Sequence, residues 1–334
     1  MANRDILAIG ASAGGVDALR LLARELPGDL PASVLLVLHQ SAQFRSTLDA
    51  ILNQSAQLPA SFAEEGQALE KGRIFIAPPG RHLLVDGERL QLGTGPRENY
   101  ARPAIDPLLR SAALCCGGRS VGVVLTGTMG DGASGLAALK RSGGITVVQN
   151  PGDAAFPEMP QTALSLAEPD HVVPLAGMPA LLDRLVRKRA GEPRPIPEDI
   201  RYEVGVARGG RFTMSDIDRI GRRSTLACPD CHGTLWEIED SGPTRYRCHT
   251  GHAFTAEVLS LALDENLTRA LGTALRTLEE RIALARKLHQ EALDRCRPSA
   301  ADSWARKARE FEEEADIIRN SIRRFDEISA AAQG

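Results

Sequence analysis

The stretch from Asp5 to Leu19, DILAIGASAGGVDAL, narrows the choice of fold more than any other. An apolar run from Ile6 to Ile9 breaks at Gly10, passes through Ser12 and the pair Gly14-Gly15, and resumes at helical spacing with Val16 and Leu19. The pattern predicts a buried strand, a tight turn and a helix start, with a serine on the turn. Two further apolar runs also end in reactive residue types: SVLLVLHQ delivers His39, and SVGVVLTGTMGDG delivers Asp131. In an open parallel sheet, reactive groups gather beyond the carboxyl ends of the strands, near a switch in strand order. Ser12, His39 and Asp131 are therefore expected to meet, although 27 and 92 residues separate consecutive members.

The surrounding 190 residues support such a sheet. Strand-like segments at 33–40, 72–79, 120–127, 144–150 and 170–174 alternate with helix-like segments at 46–53, 105–113, 135–141 and 179–188. HLLVDGERLQLG reads as a hairpin turning at Asp86-Gly87 and adding an antiparallel edge. Alternation of this kind implies an α/β fold, a doubly wound, mainly parallel sheet covered by helices. From Gly191 the character changes. GEPRPIPED carries three prolines in nine residues, so 191–223 is expected to be an extended linker. A Cys/His module follows at 224–254, and 255–334 is helical. Trp304, Ala308, Phe311, Ala315, Ile318, Ile322 and Phe325 step by threes and fours, as do Leu267, Leu271, Leu275, Leu278, Ile282 and Ala285. With Arg297-Pro298-Ser299 between them, these stripes predict a helical hairpin that completes its own core or serves self-association or partner docking.

Composition excludes several classes. A chain of 334 residues with 43% hydrophobic residues can bury a sizeable core. Its net charge of −3 gives no electrostatic case for nucleic acid or an anionic membrane. There is no apolar run long enough to span a bilayer, and MANRDILAIG enters a strand without a signal-peptide pattern, so the expected location is the cytoplasm.

A serine hydroxyl becomes a nucleophile when a base takes its proton, and His fills that role when a carboxylate fixes its tautomer. Backbone N–H groups at the helix start after Ser12, Ala13 among them, could bind an oxyanion. Each residue has a plainer reading: Ser12 as an N-cap, His39 as a strand-end residue, Asp131-Gly132 as a turn. The order Ser, His, Asp differs from that of α/β-hydrolases. A dinucleotide site fits less well, because Ser12 occupies the second glycine of G-x-G-x-x-G and the next strand ends in His39 instead of an acidic residue.

The runs IGASAGGVDAL, VLLVLHQ, IAPPGRHLLV, RENYARPAIDPLLRSAA, VVLTGTMGDGASGL and NPGDAAFPEMPQTAL resemble, in order, the motifs of the CheB-type protein-glutamate methylesterase catalytic domain. The resemblance covers about 4–188. It implies nucleophile Ser12, base His39 and acid Asp131, with Ala13 and Thr128 standing where relatives commonly carry Thr and Met. It further implies substrate contacts from Ala13, Arg102, Thr128 and Met129; Arg102 and Asp106, in RPAIDPLLRSA, are expected to orient substrate or to form a structural pair, and Met159 to line the site or make an apolar contact. The implied reaction is hydrolysis of glutamyl methyl esters on chemoreceptors, without a cofactor, and glutamine deamidation is a related activity. Family members in chemotaxis typically carry an N-terminal receiver domain, whereas here the first catalytic strand begins at about residue 5. A related signalling protein is the other expected partner; a binding scaffold or an amidase or other acyl hydrolase on the same triad are the alternative functions.

The second site is Cys228-Pro-Asp-Cys231 with Cys248-His249-Thr250-Gly251-His252. Two thiolates on one knuckle and a Cys-x-x-x-His pair predict a tetrahedral structural Zn2+ held by Cys228, Cys231, Cys248 and His252, with His249 as the alternative fourth ligand. A redox pair or a metal-free cluster are the rival readings. LWEIED and TRYRCH, turning at Ser241-Gly242-Pro243, are expected to be the two strands of a small zinc ribbon. Cys115, Cys116 and Cys296 are expected to be packing residues.

Overall fold

The computed structural model describes residues 3–41, 43–192, 194–210, 212–238 and 244–332. In chain order come β1 (Ile6–Ala11), α1 (Gly15–Glu25), β2 (Ser33–Leu38), α2 (Leu48–Asn53), β3 (Ala60–Phe62), β4 (Arg73–Ile76), β5 (His82–Asp86) and β6 (Arg89–Gly93). They are followed by α3 (Ile105–Cys116), β7 (Ser120–Val124), α4 (Ala133–Arg141), β8 (Ile145–Gln149), α5 (Glu158–Ala167), β9 (His171–Val173) and α6 (Met178–Val186). Seven strands form a parallel sheet in the order β3-β4-β2-β1-β7-β8-β9. The chain leaves β1 for β2 on one side and returns to β7 on the other, so the switch in strand order lies at β1.

β1 is apolar throughout because both its faces are covered. On one side Ile9 and Ala11 meet Leu19 and Leu22 of α1 and Leu182 of α6; on the other, Ile6 and Ala8 share a core with Leu108 and Leu109 of α3 and Leu136 of α4. Each of these leucines contributes about 1.5–3 kcal/mol by its burial. Gly10 faces the start of α3, where an added Cβ would stand 2.3 Å from Ile105 Cγ2. That close approach brings the first N–H groups of α3 to the carboxyl edge of the sheet.

Three expectations change. The β5–β6 hairpin forms its own two-stranded sheet instead of an edge of the main one. α3 occupies the backbone groups of Val85, with Ser111 Oγ accepting from its N–H at 3.0 Å and Cys115 Sγ donating to its carbonyl at 3.2 Å. β3 was not foreseen, since only three residues pair with β4. Most of the expected linker is folded. After Pro197 comes α7 (Glu198–Arg208), then α8 (Met214–Ile217), and β10 (Gly221–Ala227) begins before the expected end of the linker. Ile200 and Val204 of α7 bury against Ala138, but the same face also buries Asp199 and Glu203, which obscured its apolar periodicity.

β10 joins β11 (Thr234–Ile238), β12 (Arg245–Cys248) and β13 (Ala253–Thr255) in a four-stranded antiparallel sheet, larger than the expected two-stranded ribbon. The turn at 241–243 lies outside the described residues. Residues up to Leu259 form one compact unit and those from Ser260 another. α9 (Ala256–Asp294) and α10 (Pro298–Ala332) run antiparallel in the second unit, with Arg286 to Glu312 at 2.8 Å and Arg319 to Glu279 at 3.2 Å. Ile282, Ala285, Ala308 and Ala315 of the expected stripes are buried, whereas Leu267 is exposed. Among the described residues no helix is long and apolar enough to cross a membrane.

Candidate active site and metal centre

Ser12 follows the last residue of β1 and His39 the last of β2, while Asp131 sits in the loop between β7 and α4. The turn after β1 is fixed by Ser12 N–H donating to Thr126 O at 3.0 Å and Gly15 N–H donating to Ser12 O at 2.8 Å. Gly14 closes it at φ 71°, a left-handed conformation that suits glycine, and α1 starts at the next residue. The imidazole of His39 stands between the other two residues: its Nδ1 lies 3.1 Å from Ser12 Oγ and its Nε2 2.7 Å from Asp131 Oδ2. The three sequence-predicted residues are thus in contact.

Asp131 is 1% exposed. Besides His39, its carboxylate accepts from the N–H of Ile105 at 2.6 Å, Asp106 at 3.2 Å and Gly132 at 3.0 Å, and from Asn99 Nδ2 at 3.1 Å. Burial by itself would raise its pKa; the hydrogen bond and charge of His39, the Ile105 N–H and Asn99 outweigh burial and hold it below the ordinary aspartate value. Asp106 moves the other way, pushed up first by burial and then by the charge of Asp131, against the pull of Arg110. Its Oδ1 accepts from Gly132 and Gly135 N–H at 3.0 and 2.6 Å, so it anchors the start of α4 and is turned away from solvent.

Of the expected substrate contacts, Ala13 and Thr128 are half-buried and Met129 is exposed. Met129 has φ 65° and donates its N–H to Glu158 Oε2 at 3.1 Å. Among the described residues the N–H groups of Ala13 and Thr128 donate no hydrogen bond. Arg102 donates to Gly95 O at 2.9 Å and, with His39, Arg97, Asn99 and Tyr100, lines a cleft of about 690 Å³. Met159 is wholly buried and packs at Gly127, an apolar contact and not a lining residue. Asn99 went unnoticed in the sequence, where RENYARP offered no periodic or metal-like pattern.

In the second cluster, one ligand atom each from Cys228, Cys231, Cys248 and His252 lies within 4.8 Å of all the others. Cys231 and Cys248 sulfurs are 3.6 Å apart, and His252 Nδ1 is 3.7 Å from Cys228 and 3.5 Å from Cys248 sulfur. A zinc tetrahedron with bonds of about 2.3 Å to sulfur has edges of about 3.8 Å, so the donors fit. Asp230 Oδ2, buried and without a hydrogen bond among the described residues, lies 3.7 Å from His252 Nε2, where a carboxylate orients a metal-bound imidazole. His249 is exposed, with its ring over Gly233.

Comparison with known proteins agrees with this geometry. The family described as CheB methylesterase matches residues 7–182, more than half of the chain. A protein of Anaeromyxobacter dehalogenans named protein-glutamate methylesterase/protein-glutamine glutaminase 2 is 38% identical over 186 residues, covering 56% of this chain and 54% of that protein. The corresponding Bordetella avium protein is 38% identical over 181 residues, with 54% and 53% covered. The chain thus spans about half the length of these curated relatives. A Leptospira interrogans relative is 33% identical over 184 residues and is covered to 95%. The crystal structure of the Thermotoga maritima CheB methylesterase catalytic domain superposes with a TM-score of 0.53 at 28% identity, covering 56% of this chain and 100% of that one. A parallel sheet with Ser12, His39 and Asp131 at its carboxyl edge, and sequence matches over the same residues, lead to one conclusion: this chain belongs to the CheB methylesterase family.

Proposed function

We propose that the chain is a serine esterase that hydrolyses glutamate γ-methyl esters on a chemoreceptor or another methylated signalling protein in the cytoplasm. The observation that carries this reading is the hydrogen-bonded line from Ser12 Oγ through His39 to a buried, anchored Asp131 carboxylate. Ser12 Oγ attacks the ester carbonyl while His39 Nδ1 takes its proton, and Asp131 holds the ring and balances the imidazolium. The N–H groups of Ala13 and Thr128, with no partner among the described residues, are the candidate donors to the oxyanion. Collapse gives an acyl-enzyme and methanol, protonated by His39; water activated by the same ring then releases glutamate. On a glutamine side chain the same steps release ammonia, in keeping with the double name of the relatives. A methylated receptor fragment is expected to yield methanol with the wild type and none with Ser12→Ala. Methanol at the same rate from both proteins would overturn the reading, and binding without turnover would favour a scaffold. In this reading the α9–α10 hairpin docks the substrate protein. Removing 260–334 then slows methanol release from the receptor and leaves small-ester hydrolysis unchanged; equal rates on both substrates would exclude docking.

In the same reading Cys228, Cys231, Cys248 and His252 hold one structural Zn2+, which ties the β10–β11 connection to the β12–β13 connection. Metal analysis of gently purified protein is expected to give about one zinc per chain, and Cys231→Ser to lower the melting temperature. Zinc-free protein with an unchanged melting curve would refute the assignment.

A further inference from the structure

We propose that the Cys/His module is a working part of the esterase site: β13 holds Asn99, Asn99 holds Asp131, and metal occupancy at Cys228, Cys231, Cys248 and His252 thereby sets the rate of hydrolysis. The inference rests on the esterase and zinc readings above.

The connection is one residue long at each step. His252 is followed directly by β13, whose Ala253 carbonyl accepts from the Asn99 N–H at 2.9 Å and whose Thr255 N–H donates to Asn99 Oδ1 at 3.1 Å. The amide nitrogen of Asn99 donates to Asp131 Oδ1 at 3.1 Å and to Asp106 Oδ2 at 3.2 Å. One end of the Asn99 side chain is thus bound to the module and the other to the carboxylate that orients His39. Phe254 of β13 meets Tyr100 edge-on, with ring centroids 5.4 Å apart, and Tyr100 lines the cleft beside His39.

The cleft loop needs such support. Asn99 and Tyr100 are consecutive residues at positive φ, 48° and 63°, a combination that persists only when neighbouring structure holds it. A second tie runs alongside the first. Arg247, next to the ligand Cys248, donates to Gly251 O at 2.7 Å within the metal loop and to Glu98 Oε1 at 3.1 Å, one residue before Asn99. One of the two apolar clusters of the module, the one that contains β13, consists of Cys228, Leu235, Cys248, Phe254, Val258 and Leu259. Two of these are metal ligands, so metal loss loosens the core that carries β13. Asn99 is accordingly a positioning residue that acts through Asp131.

The test uses the full chain, zinc-loaded and then stripped with a chelator, and p-nitrophenyl acetate as the ester. Stripping is expected to lower kcat by at least about tenfold with KM steady, since small misplacements in such sites have costs of this order. Amide exchange is expected to quicken at Asn99, Ile105 and Thr255, and added zinc to restore both readouts. Zinc-loaded Asn99→Ala is expected to lose kcat similarly, and stripping this variant to cost less than about a further twofold, because metal and Asn99 act through the same bond. The proposal is overturned if stripped wild type keeps its kcat and its exchange rates, or if stripping costs wild type and variant the same factor. Should Asn99→Ala fail to fold, exchange at Asn99 in stripped wild type decides alone. Exchange needs no turnover, so a failure of the esterase reading, detected by activity surviving in Ser12→Ala, is told apart from a failure of the coupling.

Discussion

Ser12→Ala and His39→Ala are each expected to abolish ester hydrolysis almost entirely, lowering kcat by a factor on the order of 10⁶, and the double variant to lose little more. The near-equality follows from the geometry under the proposed mechanism, in which His39 Nδ1, 3.1 Å from Ser12 Oγ, takes the proton of the attacking hydroxyl, so that neither group acts without the other. Asp131→Asn should cost roughly 10⁴ in kcat, because an amide can donate to His39 Nε2 and select the wrong tautomer. Asn at 131 also meets the N–H groups of Ile105 and Gly132 with only one acceptor oxygen, so part of the loss is positional. Steady-state kinetics on a small ester checks all four variants. Losses that multiply in the Ser12/His39 double variant would mean that the two residues act separately.

The largest expected effect on stability comes from Glu203. Its carboxylate, fully buried on α7, accepts from Arg245 at 2.7 Å and Arg247 at 2.9 Å, with Arg110 of α3 at 3.9 Å. Glu98 pairs with Arg110 and Arg247, and Asp199 with Arg245 and Arg141. Glu203→Ala leaves buried guanidinium charge uncompensated and should destabilise the first unit by about 3–5 kcal/mol. Urea unfolding followed by the emission of Trp236, buried in β11, in a Trp304→Phe background would measure it. A loss under about 1 kcal/mol would mean that the site behaves as an exposed ion pair.

The pH dependence has a defined sign. Burial alone would raise the Glu203 pKa, but Arg110, Arg245 and Arg247 outweigh it and hold the carboxyl well below its ordinary value. A depressed carboxyl contributes stability that is fully present above the unfolded pKa of about 4.3 and is lost as pH falls through the folded value. Wild type should therefore lose stability on acidification, and Glu203→Gln should show a shallower decline over that acid range.

What was legible in the sequence was whatever periodicity or spacing carries. The buried strands that lead to Ser12, His39 and the loop of Asp131 announced themselves as apolar runs, and Cys-x-x-Cys with Cys-x-x-x-His announced a cluster. α7 did not, because its buried face carries Asp199 and Glu203, residues that count as solvent-facing in any apolar pattern. Arg245 and Arg247 sit in a strand for the same purpose and read as surface charges. Asn99 was hidden for another reason: its importance lies in partners 32 and 156 residues away, and no local pattern reports such pairs.

That separation also orders events during synthesis. Asn99 leaves the ribosome with its neighbours Glu98 and Asp106, but Ala253 and Thr255, which complete its hydrogen bonds, follow on the order of ten seconds later at ordinary elongation rates. Once Val173 has followed, the nascent chain has made every strand of its parallel sheet and all three residues of its Ser-His-Asp line, yet until Thr255 is made the loop beside them lacks its far anchor. The cleft is the last part of the first unit to be finished, although most of its residues are among the first to be made.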